Sequence, residues 1–267
     1  MSSIDWVPTH SSNLRALVVE QLNVFPRHES FLKKRFSDMS TEEHEFVESL
    51  ATLIRRLCAP EEKRFCDNYR WFSRQIVAES IYFQKNNTYR YSKFEEVRKE
   101  VYSNSDYMDK YTDGLLLTSL WWKNHTEALG FLVDCYAPLL SDHFDHLEIG
   151  PGHGLHLASV AAMEGCVRAE AWDVSSESVK ATKSALTKLD ISGVYVKEQD
   201  LLSSAGEDEF DSIVISEVLE HLEDPRAALA IIKRLLRRGG HLFVNMPINS
   251  PAVDHIFNLE SPELVVQ

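Results

Sequence analysis

Apolar positions along the chain change their period near residue 140. Before that point they recur at helical spacing. Phe46, Val47, Leu50, Leu53, Ile54 and Leu57 fall three and four apart. Ser40-Thr-Glu-Glu43 stands ahead of them as a capping box, and Pro60 lies just beyond, where a helix has to stop. A second stripe, Phe65, Tyr69, Phe72, Ile76 and Val77, predicts another helix that Asn86-Asn87 breaks. Ser92-Lys-Phe-Glu95 has the form of a further capping box and predicts a short helix through Val101. Residues 106–122 and 124–137 read as two more helices, ending at Pro138.

From Phe144 onward short apolar runs alternate with amphipathic stretches. Strands are predicted at 144–149, 168–173, 194–198, 211–216 and 240–245. Helices are predicted between them at about 154–164, 176–188 and 224–237, with mostly loop from 198 to 211. Such alternation implies right-handed βαβ crossovers, hence an α/β fold with a parallel sheet and helices on both faces. An all-α domain at 1–138 would precede this α/β domain at 139–267. Glycine usage agrees: Gly114 and Gly130 stand alone in the first 140 residues, and the other eight follow, where strand-to-helix turns need them.

Composition narrows the class. With 44% apolar and 10% aromatic residues, 267 residues can build a real core, which excludes a disordered or collagen-like chain. The 41 acidic and 28 basic side chains give a formal charge of −13, which argues against nucleic acid or anionic lipid as the main partner. Cys58, Cys66, Cys135 and Cys166 form no CxxC pair and read as reduced thiols. The N-terminal segment lacks the basic and apolar regions of a signal peptide, and no stretch nears the ~20 apolar residues of a membrane span. A cytoplasmic location is the expectation.

Candidate chemistry gathers at the predicted strand ends, where ligands of such sheets bind. The first strand runs into Glu148-Ile-Gly150-Pro-Gly152-His-Gly154, whose alternate glycines permit a sharp turn and close approach to a ligand at the following helix N-terminus. Asp173 ends the second strand, placed to accept both hydroxyls of a ribose. Gln199-Asp200 ends the third, and Ser216-Glu217-Val-Leu-Glu220-His221 the fourth.

As a set, EIGPGHG, AWDVS, EQDLL, FDSIVISEVLEHLEDP and RRGGHLFVNMP resemble the motifs of class I S-adenosylmethionine-dependent methyltransferases over residues 144–247. A dinucleotide-binding Rossmann domain is the nearest rival, but Leu155 stands in place of its third glycine. The resemblance implies a Rossmann-like domain behind helices that serve substrate recognition and a lid. It implies that Gly150, Gly152 and Gly154 line the methionine part of the cofactor, with Glu148 holding the loop and the ammonium side. Asp173 would bind the ribose, Val174 would lie against the adenine, and Asp200 and Leu201 would meet the adenine edge. Ser216 would sit beside the sulfonium. Tyr107 and Tyr111, which share a helical face with Met108, would cover the cofactor as part of a lid, or else pack as a core stripe on the sheet.

Methyl transfer needs the nucleophile, methyl and sulfur on one axis, and a base where the nucleophile must shed a proton. Glu217, Glu220 and His221, with His255 downstream, form a possible divalent-metal set. A similar E-x-x-E-H signature with a later histidine binds metal in the small-RNA 2′-O-methyltransferases, and ubiquinone-pathway O-methyltransferases carry a related stretch. The same stretch also occurs in class I enzymes that use no metal, where it caps a helix beside the cofactor. Without a metal, His221 or His255 would be the general base, and His125 after them. Arg64, Arg70, Arg74 and Arg90, set among aromatics, could bind a carboxylate or stand as solvated faces.

The resemblance also implies seven strands, the last two an antiparallel hairpin, whereas the pattern here predicts five and no hairpin. The tail SPELVVQ reads as the start of the helix before it. An uncovered fifth strand would make a homodimer edge. The expected function is therefore O- or N-methyl transfer to a small molecule, with base or metal assistance. A non-catalytic cofactor-binding scaffold and a metal-dependent RNA methyltransferase are the alternatives.

Overall fold

The computed structural model describes residues 4–207 and 209–261. Helices α1 (Ser12–Val24), α2 (Glu29–Phe36), α3 (Thr41–Cys58), α4 (Glu62–Asn86), α5 (Phe94–Val97), α6 (Ser105–Trp121) and α7 (Lys123–Phe131) precede the first strand. The chain divides into two compact units, Met1–Ser73 with Lys110–Phe131, and Arg74–Asp109 with Leu132–Gln267. This partition differs from a cut at residue 138, because residues 74–109 group with the sheet.

The first unit is all helical. The predicted capping box opens α3: Glu43 N–H donates to Ser40 Oγ at 3.2 Å, and Ser40 N–H to Glu43 Oε2 at 2.7 Å. No side chain of its own caps α1. Its first amides, Asn13 and Leu14, donate instead to the Glu48 carboxylate of α3 at 2.9 and 3.0 Å, so a packed neighbour supplies the missing acceptors. Trp121 is fully buried, whereas Trp122 is partly exposed and donates from Nε1 to Tyr69 Oη at 3.1 Å.

The second unit is a five-stranded parallel sheet: β1 (Phe144–Ile149), β2 (Cys166–Asp173), β3 (Val194–Glu198), β4 (Phe210–Ser216) and β5 (Leu236–Asn245), in the order β3-β2-β1-β4-β5. Among the described residues it has no antiparallel pair. Helices α8 (Leu155–Ala161), α9 (Ser176–Lys188) and α10 (Pro225–Leu235) flank it. Leu147, Ile149, Ile213 and Ile215 bury one face against Ala228, Ile232 and Leu235 of α10. The order turns back between β1 and β4, which puts a switch point beyond their carboxyl ends.

Several predicted boundaries move: β2 begins at Cys166 rather than 168, α8 ends at Ala161 rather than 164, and α10 ends at Leu235 rather than 237. Two others move for a visible reason. β5 begins at Leu236 rather than residue 240, because Leu236 already pairs with Phe210; a register shift then absorbs the extra residues, with Gly239 at φ 84°. Ser92 caps no helix. Glu223, near the end of the motif FDSIVISEVLEHLEDP, accepts from Phe94 N–H at 3.2 Å and pairs with Lys93, so α5 starts at Phe94 while Glu95 pairs with Arg98. The chain then makes a π-helical turn, Arg98–Tyr102, and a second one, Leu132–Tyr136, follows α7. The expected helix start in the tail falls on residues 262–267, outside the described residues. No described helix is long and apolar enough to cross a membrane.

A buried polar chain ties β1 to β4 and β5. His146 Nδ1 lies 2.9 Å from Ser212 Oγ, and Tyr136 Oη reaches Ser212 Oγ at 2.8 Å and the His241 carbonyl at 2.9 Å. Burial pushes His146 down to about 3 from 6.5. Its folded value lies below its unfolded one, so its stabilisation is complete above pH 6.5 and is lost as pH falls toward 3. We expect the urea midpoint of the chain to drop between pH 6.5 and 4.5 more steeply than that of a His146→Asn variant. Equal slopes in a pH series of denaturation curves would contradict this role.

Candidate active site

Three strand ends and one loop meet at the switch point. At the end of β1 the chain turns through Gly150, Gly152 and Gly154, all with positive φ (66°, 50° and 75°). Gly150 N–H donates to the Trp172 carbonyl of β2 at 2.8 Å, and Thr182 Oγ of α9 donates to the Gly152 carbonyl at 3.0 Å. A side chain at Gly150 would run into Val218, whereas one at Gly152 would meet nothing within 4 Å. The loop is thus pinned at its first glycine and open at its second, where a ligand can reach the backbone. Gly150→Ala should cost about 1–3 kcal/mol through the left-handed φ and the clash. Gly152→Ala shares the strain of a positive φ but meets no clash, so it should cost less; a loss as large, read from urea denaturation, would contradict the assignment of Gly150 as the tight position.

All of the expected cofactor residues except Tyr111 belong to the second unit, most of them at the carboxyl ends of its strands. Asp173, at the end of β2, accepts from Ser175 N–H at 2.8 Å. Val174 is exposed and Leu201 buried. Asp200 is exposed and accepts from Leu202 N–H at 2.9 Å, so it also caps the short turn that follows. Ser216 Oγ accepts from Asn245 Nδ2 at 3.1 Å, beside Glu217. Tyr107 donates its amide to Asn104 Oδ1 and belongs to this unit. Tyr111 belongs to the first unit, edge-on to Phe72 at 5.3 Å, so the pair expected to act together is divided between the units.

Beyond the loop lies an acid–histidine cluster. Glu220 and His221 come from the 3₁₀ turn Leu219–His221 after β4. His255 comes from the segment after β5, which the Glu220 carbonyl anchors by accepting from Ile256 and Phe257 N–H, both at 2.9 Å. His221 Nδ1 donates to the Asp254 carbonyl at 3.0 Å, and His255 Nδ1 donates to the Ser250 carbonyl. A carbonyl only accepts, so both rings carry a proton on Nδ1 and turn Nε2 inward. Those two Nε2 atoms stand 3.9 and 3.8 Å from the same oxygen, Glu220 Oε1. Neither carboxylate oxygen of Glu220 has a hydrogen-bond partner, although the residue is only 1% exposed.

One ligand atom from each of Glu220, His221 and His255 lies within 4.8 Å of the others. Glu217 stays outside this trio and takes a hydrogen bond from Asn245 Nδ2 at 3.0 Å. His125 is in the first unit, 2.9 Å from Thr118 Oγ. Three of the four arginines serve the chain's own acids: Arg64 pairs with Glu61 and Asp113, Arg70 with Asp67, and Arg90 with the buried Glu79. Arg74 is exposed.

Burial pushes Glu148 up, with Asp173 adding to it, and pushes Asp173 up to about 6 against the amides of Ser175 and Gly152. Burial likewise raises Glu217 and Glu220, with His221 opposing. Burial pulls His221 down, but Asp254, Glu220 and Glu217 outweigh it and leave the imidazole raised. His255 is held at about 4 by burial and by His221. Burial thus favours the neutral form of these acids in the empty site, and a cationic ligand among them would favour their ionised forms.

Three residues here were not singled out from the sequence. Asp254 precedes His255, Tyr102 ends the π-helical turn, and Glu79 is buried on α4; only Asp254, adjacent to a chosen histidine, had a local signal.

A family model described as Methyltransferase domain matches residues 121–261. A ubiquinone biosynthesis O-methyltransferase of Xanthomonas oryzae pv. oryzae (strain PXO99A) is 32% identical over 107 residues, 40% of this chain and 44% of that protein. One from Alkalilimnicola ehrlichii is 24% identical over 160 residues, 56% of this chain and 63% of that protein. The chain thus spans about half the length of the curated relatives it matches. Among solved structures, the N-methyltransferase NodS from Bradyrhizobium japonicum WM9, in complex with S-adenosyl-L-homocysteine, aligns at a TM-score of 0.40 with 27% identity, over 46% of this chain and 61% of that one.

Proposed function

Since the chain belongs to the methyltransferase-domain family, within the class I S-adenosylmethionine-dependent methyltransferases, we propose that it moves a methyl group from that cofactor to a hydroxyl of a small molecule. The observation that carries this reading is the excess of buried carboxylate around an open, positive-φ glycine loop at the switch point. A cofactor with a sulfonium and an ammonium group supplies positive charge that favours their ionised forms.

In this reading Glu148 holds the glycine loop and faces the ammonium group. Gly150, Gly152 and Gly154 pass beside the methionine part, and the openness at Gly152 leaves room for it. Asp173 accepts the ribose hydroxyls. Val174, Asp200 and Leu201 border the adenine, and the Ser216 carbonyl faces the sulfonium. Tyr107 covers the cofactor from residues 74–109.

Glu220, His221 and His255 would hold a divalent cation, and the fit rests on the unpartnered carboxylate oxygens and the two inward Nε2 atoms. Such an ion would lower the pKa of an acceptor hydroxyl. Glu217, held by Asn245, lies outside the trio. The Nδ1 hydrogen bonds to carbonyls keep both rings oriented whether or not an ion is present.

The test is methyl transfer from radiolabelled S-adenosylmethionine to a panel of small phenols, alcohols and amines, with chelator or with Mn²⁺. Labelling of hydroxyl acceptors that needs Mn²⁺ is the expected result. Transfer to amines alone, untouched by chelator, would overturn the hydroxyl and metal assignments.

A further inference from the structure

Tyr102 and Asp254 have no part in the scheme above, yet they stand directly behind His221. Tyr102 closes the π-helical turn Arg98–Tyr102, a form often found at functional positions. Its hydroxyl donates to Asp254 Oδ2 at 3.2 Å, and its ring lies edge-on to His221 with centroids 6.5 Å apart. Asp254 is 1% exposed and approaches His221 twice. Its carbonyl accepts from Nδ1 at 3.0 Å, and its Oδ2 stands 3.5 Å from the same nitrogen. Oδ1 of Asp254 has no hydrogen-bond partner.

We propose that Tyr102 and Asp254 are positioning residues that fix His221, through its Nδ1, with Nε2 directed at Glu220. The role rests on the reading of Glu220, His221 and His255 as cation ligands. The mechanism is steric and tautomeric. The Asp254 carbonyl can only accept, and its carboxylate beside the same N–H further favours the Nδ1-protonated ring. Tyr102 holds that carboxylate in place by the one hydrogen bond it receives from the hydroxyl. Without the bond, Asp254 can rotate and the segment 249–258 can shift, taking with it both the carbonyl behind His221 and His255.

The experiment uses the full chain, stripped of metal. Wild type, Tyr102→Phe and Asp254→Asn are titrated calorimetrically with Mn²⁺, and the cation-free forms are compared by ¹⁵N spectra of the histidine rings. Tyr102→Phe removes one oxygen and keeps the ring, and Asp254→Asn keeps the main-chain acceptor, so circular dichroism should match wild type in at least one. Expected is a loss of Mn²⁺ affinity of roughly 10-fold in each, the scale of outer-shell changes at metal sites. The His221 Nδ1–H resonance should broaden or move in the cation-free variants. Equal affinity and unchanged His221 spectra, with Mn²⁺ bound by wild type, overturn the positioning role alone. No Mn²⁺ binding by folded wild type overturns the cation reading and this role together.

Discussion

Glu220→Gln is expected to raise the stability of the cation-free chain while abolishing its affinity for divalent ions. The two effects have one origin. Both carboxylate oxygens of Glu220 are buried without hydrogen bonds, and Glu217 and Asp254 add negative charge around them. An unsatisfied buried polar group costs about 1–3 kcal/mol, more when charged. The amide removes an ionisable group that burial and its acidic neighbours disfavour as an anion, and offers N–H groups to the two histidine Nε2 atoms now 3.8 and 3.9 Å from Oε1. Urea denaturation should therefore show a midpoint above that of wild type. Mn²⁺ titration of the same variant should show a loss on the order of 100-fold or more, since a ligand is removed rather than its outer support. A residue that weakens the fold and strengthens ligand binding is a mark of a functional site. A destabilised variant that still binds Mn²⁺ would assign Glu220 to structure instead.

The second large effect is on the cofactor. Asp173→Asn keeps the size of the side chain and an acceptor for Ser175 N–H, so it isolates the loss of charge. Hydrogen bonds to a charged partner are worth about 1.5–3 kcal/mol, and forfeiting that assistance corresponds to roughly 10- to 100-fold in affinity. S-adenosylhomocysteine should bind the variant that much more weakly, with fold and denaturation midpoint close to wild type. The same measurement on Asp200→Asn gives a contrast. Asp200 is exposed and caps its own turn, so its effect should be several-fold smaller.

The strands were readable from their short apolar-rich segments bounded by turn residues, and 144–149 and 194–198 keep the predicted bounds although each carries charged or polar positions. Ser40 and Glu43 were readable for the same local reason: both partners of the box lie within one turn. Where a distant residue decides, the pattern misleads. Glu223 takes over the start of α5 from Ser92, and Phe210 pulls the start of β5 back to Leu236. The histidine cluster was half legible. Glu220, His221 and His255 announce themselves by type, but the orientation of both rings depends on carbonyls of Asp254 and Ser250, and a backbone acceptor leaves no mark in the sequence. Tyr102 was hidden for a similar reason, since its partner is 152 residues away. Tyr107 and Tyr111 share a helical face by periodicity, yet they fall in different units, a division that no local spacing encodes.

The most direct test of the central claim is calorimetric titration of the metal-stripped full chain with S-adenosylhomocysteine. The account predicts saturable binding at one site, lost in large part in Asp173→Asn. A well-folded chain that takes up no S-adenosylhomocysteine, with or without Mn²⁺, would contradict it.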